Sequence, residues 1–222
     1  MAAVAMVEDG MVVGLGTGST AAFAIDGLIA RVREGLRIFG IPTSERSAKQ
    51  AREGGIALTD FATHTKVDLT IDGADEIAHS SLDLIKGLGG ALLREKIVAA
   101  ATDHLVIVAD EPKLVERLGL TVPVPVEVVP FGWQATATRL AALGCRPVLR
   151  MAGAEAFCTD NGNIILDCQV DGVDDPAALA QAMSSVVGVV ETGLFIGMAE
   201  TALVARPGGL LRLEQPHRKR SP

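Results

Sequence analysis

The sequence predicts an α/β protein: a mostly parallel open sheet with a smaller α+β module inserted late in the chain. Three observations predict it. Between Met11 and about Asp110, short β-branched runs alternate with longer helical stretches, the pattern of βαβ units. After Pro123 the order becomes β-α-β-β-α-β, that of a ferredoxin-like module. Beyond it an apolar run, residues 202–205, is free to return to the first sheet. The division assigns residues 1–121 and 199–222 to the larger domain and 122–198 to the insertion.

The elements follow in order. A strand over 11–16 ends in a glycine-rich turn, and a helix over 19–33 follows. A strand over 36–41 precedes a helix over 45–53, for which Ser44 is the predicted N-cap. Strands over 67–72 and 105–110 flank a helix over 90–102. The insertion opens with an apolar strand, 124–129, then a helix over 134–143 stopped by Gly144 and a strand over 147–151. Asp160-Asn161-Gly162-Asn163 is read as a hairpin turn, because Asn-Gly tolerates the positive φ angles of a tight reversal. A strand over 164–170, a helix over 175–187 with Pro176 in its first turn, and a strand over 189–195 complete it. The tail, 207–222, is expected to be disordered.

Composition narrows the function. The 222 residues are 49% apolar, which excludes a disordered chain. The net charge of −7 argues against a general nucleic-acid binder, since the only basic cluster is His217-Arg218-Lys219-Arg220. Cys145, Cys158 and Cys168 have no CxxC spacing and are read as reduced thiols, and the four histidines are scattered. The first residues lack the basic and apolar segments of a secretory signal, and no run reaches the ~20 apolar residues of a membrane span. The expectation is a soluble cytoplasmic protein without nucleic-acid or membrane partners.

Three motifs carry chemistry. Gly14-Leu15-Gly16-Thr17-Gly18-Ser19-Thr20 joins a strand to a helix, where glycines admit an anion and the helix N-terminus offers free N–H groups. A dinucleotide fingerprint would need glycine where Ser19 stands, and a Walker loop would need a lysine before the hydroxyls. A phosphate remains, beside the simpler reading of a capped turn. Asp72-Gly73-Ala74-Asp75-Glu76 ends a strand, where open α/β sheets bind ligands, although Asp-Gly is also an ordinary turn. Three carboxylates in five residues call for a cation, a lysine or a polyol, and Lys86 is the candidate partner.

Lys86-Gly87-Leu88-Gly89-Gly90 leads into a helix apolar on nearly every face, yet carrying Arg94, Glu95 and Lys96. At about 100° per residue these three fan over roughly 200°, so one must face an enclosed space. Two readings stay open: Glu95 as a carboxylate base, with Lys86 and loop amides near a developing oxyanion, or an ion-pair cluster tethering the helix. Lys113 lies just past another strand end. Lys86, Arg94, Lys96 and Lys113 are the expected counter-charges for an anionic substrate.

These residues resemble the type A ribose-5-phosphate isomerases. The resemblance runs through Gly16-Thr17-Gly18-Ser19-Thr20, Asp72 to Glu76, Lys86 to Lys96, Ala109-Asp110-x-x-Lys113, Pro125-Val126-Glu127-Val128, Thr159 to Asn163 and Gly188 to Phe195, spanning residues 10–206. It implies a Rossmann-like catalytic domain, an inserted α+β lid used in oligomer contacts, a homodimer or homotetramer, and no metal or organic cofactor. By position it implies Glu95 as proton acceptor and Asp72, Asp75 and Lys86 as the sugar-handling set. Thr17, Gly18, Ser19, Thr20, Gly73, Ala74, Gly87, Leu88, Gly89 and Lys113 would be further substrate contacts. The segment before the first strand is shorter than the family's usual N-terminal helix, and the tail beyond Arg206 is unexplained by the resemblance. Two alternatives stand beside it: a non-catalytic sugar-phosphate sensor on the same fold, which would be free to lose Glu95, and a CoA-transferase-like enzyme on a related fold, which would form a covalent glutamyl thioester.

Overall fold

The computed structural model describes residues 1–215. A 3-10 turn, Val4–Met6, tucks Ala3, Val4 and Val7 into the core, and Arg31 Nη1 donates to the carbonyl oxygens of Val4 and Val7 at 2.6 and 2.7 Å. The first half of the chain then runs β1 (Val12–Leu15), α1 (Ser19–Arg33), β2 (Phe39–Pro42), α2 (Glu45–Gly54), β3 (Ala57–Leu58), β4 (Val67–Asp72), β5 (Glu76–Ala78), β6 (Leu84–Ile85), α3 (Leu92–Ala100), β7 (Thr102–Asp110) and β8 (Leu114–Val115). The second half runs β9 (Val124–Val128), α4 (Trp133–Ala141), β10 (Arg146–Leu149), β11 (Met151–Ala152), β12 (Glu155–Ala156), β13 (Ile164–Gln169), α5 (Pro176–Ser184), β14 (Val189–Thr192), β15 (Leu194–Phe195), β16 (Thr201–Arg206) and β17 (Gly209–Glu214).

The large sheet has the order β17-β16-β7-β4-β1-β2-β3 and is parallel except for β17. From β1 the chain moves outward to β2 and β3, and then returns to lay β4 on the other side of β1. The order therefore reverses between β1 and β4, and a crevice opens beyond their carboxyl ends. Every residue of β1 is buried, as expected of a central parallel strand covered on both faces. Ser44 caps α2 as predicted, accepting the Ser47 N–H at 3.1 Å.

The inserted module forms a second sheet, β10-β13-β9-β14, antiparallel throughout. Val124, Val126 and Val128 of β9 bury one face against Leu140 of α4 and Met183 of α5. The alternate residues Pro125 and Glu127 face the opposite way, and a Cβ added to Gly87 would lie 3.2 Å from Pro125 Cβ. A third sheet, β15-β6-β5-β8, lies where the two larger ones meet. There the Gly193 N–H donates to Pro125 O at 2.6 Å, and the Lys86 N–H donates to Gly193 O at 2.9 Å.

Several expectations are corrected. The strand predicted over 189–195 breaks at Gly193 into β14 and β15, which belong to different sheets. The helix predicted from Gly90 begins at Leu92, because Gly90 sits at φ +84°, outside helical geometry. The start of the tail is ordered: β17 pairs with β16 from Arg206↔Gly209 to Thr201↔Glu214. The basic cluster His217 to Arg220 lies outside the described residues. Cys145 and Cys168 are buried and Cys158 is exposed, all three as free thiols.

Candidate active site

The carboxyl ends of β1 and β4 approach so closely that only glycine fits between them. A Cβ on Gly16 would lie 2.3 Å from Asp72 Oδ1, and one on Gly14 would lie 2.0 Å from Thr70 Oγ1. The approach lets the Thr17 N–H donate to Asp72 Oδ1 at 3.0 Å, and the Gly73 N–H donates to the same oxygen at 2.7 Å. Asp72 Oδ2 is left to face Lys86 Nζ at 3.1 Å.

Lys86 is delivered by the loop after β6, and its ammonium is the hub of the site. It also donates to Gly73 O and lies 3.4 Å from Glu95 Oε1, 5.5 Å from the centre of the Phe195 ring. Asp72, Lys86 and Glu95 are all buried, so the attraction among them acts with little screening by water. Glu95 Oε2 is buried without a hydrogen-bond partner among the described residues. Burial pushes the Glu95 carboxyl up to about 8; Lys86 offsets part of this, and Asp72 and Asp75 add to it. Burial also raises Asp72 above the ordinary carboxylate range, with Lys86 opposing. Burial works to lower Lys86, but Asp72 and Glu95 outweigh it and hold the ammonium above its usual range.

The fan of charges on α3 resolves into three separate environments. Glu95 points into the site. Arg94 turns outward to the hairpin turn, donating to Asn161 Oδ1 at 3.0 Å and pairing with Glu45 at 2.8 Å. Lys96 pairs with Glu191 at 2.8 Å and donates to the carbonyl oxygens of Thr192 and Leu194. Arg94 and Lys96 are therefore structural ties, which corrects their expected part in neutralising a substrate. The acidic motif divides as well. Asp75 Oδ2 accepts the Leu88 N–H at 2.9 Å at the edge of the site, whereas Glu76 points away into the 119–122 loop.

The phosphate-loop candidates separate by exposure. Thr17 is buried, and its hydroxyl bonds those of Thr43, Ser44 and Ser47 at 2.7, 2.8 and 3.2 Å, so this side chain braces the loop. Gly18, at φ +114°, begins α1, and Ser19 and Thr20 stand in its first turn with no acidic residue nearby in that turn. Gly87 is buried, Leu88 and Gly89 are exposed, and Ala74 packs against the core. Lys113 is half-buried in the 3-10 turn Glu111–Lys113 after β7 and makes no ion pair among the described residues. A cleft of about 150 Å³ lies between these loops and the insertion, lined by Thr17, Ser44, Gly89, Gly90, Phe157 and Asp160. Among the described residues no three His, Cys, Asp or Glu side chains converge as a metal would require.

Sequence reasoning missed the insertion's share. Arg150 donates to the carbonyl oxygens of Gly87 and Leu88, and Phe157 packs beneath Gly90. Neither residue has a local spacing that marks it; only the folding of the insertion brings them to the loop.

Comparison with known proteins identifies the family. The family model described as ribose 5-phosphate isomerase A (phosphoriboisomerase A) matches residues 39–209. Ribose-5-phosphate isomerase A of Gloeobacter violaceus is 60% identical over 208 residues, 94% of this chain and 90% of that protein. Its counterpart from Gluconobacter oxydans is 56% identical, covering 92% and 90%. The solved structure of ribose 5-phosphate isomerase A from Methanocaldococcus jannaschii superposes with a TM-score of 0.92 at 40% identity, covering 96% of this chain and 95% of that one. A D-ribose-5-phosphate isomerase in complex with phospho-erythronic acid superposes at 0.93 with 36% identity and the same coverage. A family model that matches most of the chain and relatives this similar over nearly its whole length show that this chain belongs to the ribose 5-phosphate isomerase A family.

Proposed function

We propose that this protein interconverts D-ribose 5-phosphate and D-ribulose 5-phosphate, with Glu95 as the proton-transferring base. The observation that carries the assignment is Glu95 Oε2: a buried carboxylate oxygen with no hydrogen-bond partner among the described residues, beside an ammonium, at the sheet's switch point. Isomerisation needs a base that takes the proton from C2 and returns it to C1, so one carboxylate serves both carbons. The negative charge passes to O1 and O2 of an enediolate, which Lys86 and the N–H groups of the 87–89 loop stabilise. Asp72, held by two N–H groups and Lys86, assists opening of the furanose ring, and Asp75 orients the loop through Leu88. Gly18, Ser19 and Thr20 at the start of α1 receive the phosphate with Lys113, as the free N–H groups of a helix start favour an anion. A sensor would have no use for an unpartnered buried base.

In this reading residues 1–121 and 199–222 form the catalytic domain and 122–198 the lid. The lid also supports self-association into a homodimer or homotetramer, for Phe131 and Val187 stand 94% and 76% exposed on it. The test is incubation of metal-stripped protein with ribose 5-phosphate in deuterated water, followed by NMR. Ketose formation with deuterium at C1 is expected. Binding of phospho-erythronic acid without any turnover would overturn the assignment in favour of a sensor.

A further inference from the structure

Among the lid's contacts with the 86–90 loop, one guanidinium takes hold of two of the loop's carbonyls. Arg150 follows β10, and its Nη1 donates to Gly87 O at 2.8 Å and Leu88 O at 3.0 Å. On its other side Nε donates to Asp167 Oδ2 at 3.0 Å, and Nη2 pairs with Asp167 Oδ1. The two side chains are 12% and 21% exposed, and the Phe157 ring lies 5.9 Å from the guanidinium carbon. The same ring fills the space under Gly90, where an added Cβ would come within 2.3 Å of it.

A trans peptide is planar, so its C=O and N–H point in opposite directions. Turning the Gly87 carbonyl toward Arg150 therefore turns the Leu88 N–H away from it, and that N–H is found on Asp75 Oδ2. Turning the Leu88 carbonyl the same way sends the Gly89 N–H to the side opposite Arg150, and among the described residues this N–H has no protein acceptor. The loop closes on itself through the Gly90 N–H, which donates to Gly87 O at 3.0 Å. This turn leaves the central Leu88 carbonyl unheld, and Gly87 and Gly90 both take the positive φ angles that glycine permits, so the Leu88 carbonyl takes its orientation from Arg150. An arginine fork is planar and presents several donors at fixed angles, whereas a lysine is a point charge.

We propose that Arg150 is a positioning residue for the isomerisation: by holding the Gly87 and Leu88 carbonyls outward, it presents the Gly89 N–H to the enediolate. The proposal rests on the loop amides acting as enediolate donors. Preorganised donors matter most where charge develops, so the loss falls on the transition state more than on the bound sugar phosphate.

The experiment compares Arg150→Ala, Arg150→Lys and the parent by kcat, KM and affinity for phospho-erythronic acid and for inorganic phosphate. The planar carboxylate of the former resembles the enediolate; the latter reads only the anion site. Arg150→Ala is expected to lower kcat by about 10- to 100-fold with KM within about threefold. Phospho-erythronic acid affinity should fall while phosphate affinity holds, and Arg150→Lys should lie between. Arg146→Ala is the control for lid stability, because Arg146 bonds only Gln169 on the same sheet; its kcat should match the parent's. If Arg150→Ala does not fold, Arg150→Lys carries the test alone. A kcat within twofold of the parent overturns the proposal, as does an equal loss in Arg146→Ala. A parent that binds phospho-erythronic acid no better than phosphate overturns the loop assignment and the proposal together.

Discussion

Glu76 and Glu95 are both buried carboxylates on the same side of one molecule, and they are provisioned in opposite ways. Glu76 accepts four hydrogen bonds, from the N–H groups of Gly119, Thr121 and Val122 and from the Thr121 hydroxyl. Glu95 has one ammonium at 3.4 Å and an oxygen with nothing on it. Satisfying a buried charge with donors makes it a fixed post, because each bond stabilises the ionised form in place. Leaving a lone pair unsatisfied keeps a carboxylate basic. Burial is common to both, and what differs between them is the set of donors around each and the Lys86 ammonium that faces Glu95 alone of the two.

The largest effect expected from breaking this contrast is at Glu95. Glu95→Gln should lower kcat by about 10³- to 10⁴-fold while phospho-erythronic acid binding remains measurable by calorimetry. A near-normal rate would remove the base assignment. Lys86→Met should cost about 10²- to 10³-fold in kcat, through loss of the enediolate's cation. Glu76→Gln sharpens the comparison from the other side. It should leave kcat within about twofold yet lower unfolding free energy by about 2–3 kcal/mol in a urea titration, since Gln cannot accept all four donors.

The pH dependence gives two smaller effects of known sign. A base must be ionised to act, so kcat/KM should climb with pH and level off above about 8, where Glu95 titrates in the free enzyme. The folded protein holds this proton up to about pH 8, whereas the unfolded chain loses it near 4.5. Over that interval the native state binds more protons, so this group's contribution to stability falls as pH rises. Glu95→Gln should abolish that decline and, at pH 9, raise the melting temperature by about 2–5 °C.

Much of the scaffold was legible because its signals are local. Helix α1 and strand β4 were read residue for residue, one bounded by Gly18 and the other ending in Asp72-Gly73. The order of the insertion was legible for the same reason. Strands of two or three residues, such as β5, β6 and β8, are shorter than the roughly four residues over which alternation can be read, and leave no pattern to detect. In the site, Glu95 stood out because three consecutive charges on a buried helix cannot share one solvent stripe. Sequence spacing does not reveal which of two neighbouring carboxylates is saturated with donors. That division between Glu76 and Asp75 is decided by the 119–122 loop, more than forty residues away along the chain.

The two passages of chain between the modules, inward at Pro125 and outward at Gly193, are fastened to each other and to Lys86 by backbone hydrogen bonds. A Cβ on Gly193 would come 2.3 Å from Lys86 O and 3.0 Å from Pro125 O, so no other residue fits the crossing. A hinge needs a few residues free to absorb large φ/ψ changes, and here the two passages are bonded to each other at the crossing. Swinging the inserted module as a rigid body would pull on the peptide that bears the Lys86 ammonium. The Gly193 amide should therefore exchange with solvent as slowly as the centre of the large sheet.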